Sequence, residues 1–182
     1  MKRKLLPLLL MLATGVASAQ IAPEAAPAAP EVVAAVDFAD TAFVLICSAL
    51  VLLMTPALAF FYGGLSRSKS VLNTMMMSFT AIGVITIVWV VAGYSIAFGD
   101  EPMGAYFGSF QNVMLAGIDK DSTATTFNAA HLIPKYVFVM FQATFAIIAA
   151  ALISGALVDR MKFGAYIVFI ALWSVLVYAP VA

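Results

Sequence analysis

Phe138, Phe141 and Phe145 are spaced three and four residues apart, with Gln142 beside them. On a helix this spacing puts all three rings on one face. Such a stripe is most often packing or lipid contact. Its alternative chemistry is recognition of a small cation, which a ring face attracts by about 0.5–2 kcal/mol. Stacked rings also block water and hydrated ions. Phe60, Phe61 and Tyr62, followed by Gly63-Gly64, pose the same choice. They read as an interfacial aromatic belt with a glycine helix stop, or as rings lining a pore above a tight turn. Spacing leaves both pairs of readings open.

The other reactive side chains are isolated. His131 is the only histidine, and catalytic or metal-binding histidines normally come with partners, so it reads as an ordinary exposed residue. Cys47, the single cysteine, excludes an internal disulfide framework and a cysteine-based zinc cluster. Asp100 and Glu101 could gather cations at a mouth, but exposed acids usually have no such role. Met75, Met76 and Met77 read as adaptable packing, and Asp159 beside Arg160 as loop charges. The sequence shows no nucleophile–base set, phosphate loop or metal cluster, so it implies neither an enzyme nor a cofactor.

Composition says what must hold these residues. Of 182 residues, 64% are hydrophobic and 10% charged, with a mean hydropathy of +1.07. Soluble domains average about 45–50% apolar and about 25% charged. The chain reads as an all-α, multi-pass membrane protein. Nine basic residues balance nine acidic ones, leaving no basic surface for nucleic acid.

Four uncharged apolar runs cover about residues 41–62, 72–98, 136–158 and 164–182. Each can cross a hydrocarbon core of about 30 Å as a helix. Pro56 predicts a kink in the first. Pro134 stands just before the third, where a missing N–H costs least. Loops 63–71 and 159–163 carry Arg67, Lys69, Arg160 and Lys162, which places them in the cytoplasm by the positive-inside rule. Segment 99–135, richer in acids, then lies outside. Residues 1–19 read as a signal peptide cleaved before Gln20, and residues 20–40 as an Ala/Pro-rich extracytoplasmic linker. Both signals put the mature N-terminus outside. In the third span Ala146, Ala150 and Ser154 recur every four residues, a face that lets another helix approach closely. No Asp, Glu, Lys or Arg lies inside a span, which argues against a proton-coupled pump.

Three stretches carry a family likeness: TAFVLICSALVLLMTPALAFFYGGLSRSK (41–69), VWVVAGYSIAFGD (88–100) and FQATFAIIAAALISGALVDRMKF (141–163). Together they resemble the ammonium transporter (Amt/Mep/Rh) family across nearly all of residues 40–182. The resemblance implies a bacterial cytoplasmic-membrane protein that is a homotrimer when full-length, each subunit carrying a pore between two inverted five-helix repeats. It implies transport of ammonium or ammonia. Phe141 resembles an aromatic of the outer recruitment site and Phe145 the gate phenylalanine of this helix. Phe61 and Tyr62 resemble pore-lining aromatics nearer the cytoplasm. The family continues past this sequence to an outer-site tryptophan, a fifth span with an acidic residue and a pore histidine, and a second repeat. His131 matches neither pore histidine. The sequence therefore holds four spans of that fold and one side of its gate. Other implied roles are an ammonium sensor, a regulatory or assembly subunit docking a PII-type signalling protein, or a non-conducting truncated product.

Overall fold

In a computed structural model, the structure describes residues 35–99, 107–125 and 131–182. The segment read as a signal peptide, most of the one read as a linker, and Asp100 and Glu101 lie outside the described residues. Among the described residues, four helices are long and apolar enough to cross a membrane: α1 (Phe38–Leu65), α2 (Val71–Phe98), α3 (Lys135–Ala156) and α4 (Phe163–Val181). Between α2 and α3, β1 (Thr123–Thr125) pairs antiparallel with β2 (Leu132–Pro134), Ala124 opposite Ile133.

Helix α1 starts at Phe38, within the segment read as linker, because Asp37 caps it. One Asp37 oxygen accepts from the Ala39 and Asp40 amides at 2.8 and 3.1 Å, satisfying two donors that have no partner in the first turn. The Asp40 amide, the His131 ring and the Ala39 amide together hold the Asp37 carboxyl below its usual range. The helix runs unbroken through Pro56. It also passes Gly63-Gly64, so these glycines do not stop it. The helix ends at Ser66, whose Oγ and N–H both donate to the Gly63 carbonyl. Gly63 serves packing instead: a Cβ there would lie 2.8 Å from Cγ of Met75 on α2.

Helix α3 is the central element. In its most apolar stretch 44% of residues are buried, against 17% for α1, 28% for α2 and 22% for α4. Ala146, Ala150 and Ser154 are each at most 1% exposed, so the four-residue repeat is the packing seam that the sequence predicts. Ser154 Oγ lies 3.0 Å from Ser78 Oγ on α2. The Tyr166 hydroxyl on α4 donates to the Ala150 carbonyl at 3.1 Å. Small side chains bring the backbones together, and the hydroxyls satisfy polar groups that lipid cannot.

Both α2 and α4 contain one π-helical turn, at Trp89–Gly93 and Ser174–Tyr178. Inserted turns of this kind re-aim side chains. Here they bring Trp89 and Tyr178 together, ring centroids 6.1 Å apart. At the opposite end of the bundle, Asp159 adopts a left-handed conformation with φ of 60°. It accepts a hydrogen bond from Ser70 and pairs with Arg67 at 3.8 Å. Asp159 is thus more than a loop charge: it ties together the two short basic loops.

Candidate functional site

Helix α3 positions the leading candidates. The Phe141 and Phe145 rings meet edge to face, centroids 5.0 Å apart at 81°, a favourable quadrupole arrangement. Phe141 is half-buried and Phe145 is 39% exposed. Phe145 directly precedes the seam residue Ala146, yet part of its side chain is left uncovered. The Phe141 carbonyl accepts from the Thr144 hydroxyl at 2.6 Å, so local backbone polarity is satisfied on the buried side.

Phe138 is engaged elsewhere. Its ring packs against Phe98 at 5.3 Å. Both rings line a hollow of about 400 Å³ with Tyr94, Thr123 and Lys135. The stripe therefore divides into an aromatic wall at the hairpin end and the Phe141–Phe145 pair.

Phe61 and Tyr62 form a second, separate aromatic group near the end of α1, centroids 5.7 Å apart. Phe61 is 60% exposed. The Tyr62 hydroxyl donates to the Leu152 carbonyl at 3.3 Å. Leu152 lies two turns past Phe145, or about 10 Å along the helix axis. The two groups thus sit at different depths along α3. The Tyr62 ring lies flat against Gly155, where a Cβ would come within 2.5 Å of Cζ. Gly155→Ala is expected to expel this ring and break its bond to Leu152. A fall in detergent melting temperature larger than that of Tyr62→Phe, which loses only the hydroxyl, checks this.

Sequence reasoning missed Trp89. It is fully buried, and its indole Nε1–H donates to the Val139 carbonyl on α3 at 3.3 Å. It also touches Tyr94 and Phe98. Trp89 thereby fixes the turn of α3 just before Phe141. A tryptophan in an apolar run gives no signal for this, because its partner lies 50 residues away on another helix. His131 has partners after all: Nδ1 lies 3.0 Å from Asp37 Oδ2 and 3.5 Å from Asp40 Oδ2.

Four apolar helices packed on a small-residue seam define a helical multi-pass membrane protein. Residues 42–182 match the profile of the Ammonium Transporter Family, and the chain belongs to that family. It is 51% identical over 157 residues to an ammonium transporter of Mycobacterium tuberculosis, an alignment covering 80% of this chain and 33% of that protein. It is 50% identical over 150 residues to an ammonium transporter of Aquifex aeolicus, covering 82% and 34%. Its fold matches the crystal structure of Candida albicans Mep2 with a TM-score of 0.68 and 29% identity, over 80% of this chain and 31% of that one. The chain thus has part of the Amt/Mep fold and spans about one third of the length of these relatives.

Proposed function

We propose that the full-length protein moves ammonium or ammonia across a membrane, and that this chain supplies one wall of the passage. The observation that carries this reading is the Phe141–Phe145 pair, edge to face and open on one side of α3, within a chain of the ammonium transporter family. Ammonium is about the size of potassium, so size alone discriminates poorly. Removing its water in an apolar passage is costly unless ring faces and acceptors replace that water. Phe141 attracts the cation, and Phe145 closes the passage to water and hydrated ions. Deprotonation, which sodium and potassium cannot undergo, then lets neutral ammonia cross. Phe61 and Tyr62 line the same passage further along. In this reading residues 1–19 are cleaved, residues 20–40 comprise the linker and the first residues of α1, and the mature N-terminus lies outside a bacterial cytoplasmic membrane. The protein assembles as a homotrimer, and loops 63–71 and 159–163 face a PII-type regulator.

The test is methylammonium uptake by proteoliposomes of the full-length protein. Saturable uptake is expected. A ring–cation attraction of about 0.5–2 kcal/mol corresponds to a factor of about 2–30 in affinity. Phe141→Ala should therefore raise the half-saturating concentration by about that factor. Unchanged uptake parameters would remove Phe141 from the site, and no uptake by the unaltered protein would refute the transport reading.

A further inference from the structure

We propose that Asp37, Asp40 and His131 form a binding site for a divalent transition metal, of the zinc or nickel class, at the hairpin end of the bundle. The three residues come from two elements, the capped start of α1 and the residue before β2. Each offers one ligand atom, and the three atoms all lie within 4.8 Å of one another. Metal bonds of about 2.0–2.1 Å in a tetrahedron place neighbouring ligands about 3.3 Å apart. The His131 Nδ1 distances to Asp37 Oδ2 and Asp40 Oδ2, 3.0 and 3.5 Å, bracket that edge.

The surrounding backbone fixes these groups. The Asp37 N–H donates to the Leu132 carbonyl at 2.8 Å, and Val36 bridges Leu132, so the α1 start and His131 are held side by side. Asp37 divides its two oxygens. Oδ1 accepts the two amides of the first turn, while Oδ2 faces His131. The capping oxygen thus occupies the positive end of the helix dipole, which would otherwise repel a cation. Two carboxylates supply the compensating charge. Their side chains are 31% and 41% exposed and that of His131 is 46% exposed, which leaves room for water as a fourth ligand. One imidazole nitrogen with carboxylates favours zinc or nickel over calcium and magnesium, which take all-oxygen shells. Binding displaces the proton between Nδ1 and Asp37 and staples the start of α1 to the hairpin.

The test is calorimetric titration of the full-length protein in detergent with Zn²⁺, and with Ca²⁺ in parallel. A Zn²⁺ site of 1:1 stoichiometry is expected, with Ca²⁺ at least about tenfold weaker. His131→Gln, Asp40→Asn and Asp37→Asn should each weaken Zn²⁺ at least about tenfold. Asp37→Asn keeps a capping oxygen, so circular dichroism should show unchanged helix content while metal affinity falls. No saturable Zn²⁺ binding, equal affinity for Ca²⁺, or undiminished Zn²⁺ affinity in all three variants would overturn the proposal.

Discussion

Phe145→Ala is expected to let water through the passage. The ring is 39% exposed, so its loss should cost less stability than the ~3–5 kcal/mol of a core Phe→Ala change. The larger effect falls on permeation. Lowering the barrier by about 1.4 kcal/mol raises flux tenfold, and taking away the ring removes the apolar plug that costs water its hydrogen bonds. Water permeability of proteoliposomes of the full-length protein should rise about tenfold or more. Phe145→Leu, which keeps an apolar plug, should stay near the unaltered value. Stopped-flow light scattering measures both, and equal permeability in all three proteins would remove Phe145 from the gate.

Ala150→Leu should do the most structural damage. Ala150 is fully buried in the seam, and its carbonyl accepts from Tyr166. Three added carbons must enter a position with no exposed surface, packed between helices. Overpacking of a well-filled core costs about 1–3 kcal/mol, and here it also strains an interhelical hydrogen bond. The expected result is a marked loss of monodisperse protein in size-exclusion chromatography and a lower melting temperature. Ala57→Leu, the same change at an exposed position on α1, should have little effect. Equal behaviour of the two variants would mean that the seam does not set helix spacing.

The four spans are legible in the sequence because uncharged runs of this length have few other fates in water or lipid. The α3 seam is legible because Ala146, Ala150 and Ser154 repeat at a helical period. The contact of Phe141 with Phe145 follows from their spacing of four. Other features depend on tertiary structure. The π-helical turn that begins at Trp89 leaves no mark on the hydropathy pattern, and neither does the reach of that indole to the Val139 carbonyl. The hairpin strands are three residues each, too short for an alternating pattern to stand out. His131 meets Asp37 across 94 positions, and no local rule joins residues so far apart. Gly63 invites a reading as a helix stop, and Gly155 gives no signal of its own within an apolar run. Their function is to let Met75 and Tyr62 approach, which only the packed helices reveal.

The central claim is that Phe141 and Phe145 face the path taken by the cation. Cysteine accessibility tests it most directly, in the full-length protein with Cys47 changed to serine. Phe141→Cys and Phe145→Cys should each react with a small water-soluble thiol reagent, and ammonium at saturating concentration should slow that reaction. Met140→Cys, exposed on α3 about 140° around the helix from Phe145, should show no such protection. Slower labelling by ammonium at 141 and 145 alone is the predicted result. Labelling at those positions that ammonium does not change, or that it changes equally at 140, would contradict the account.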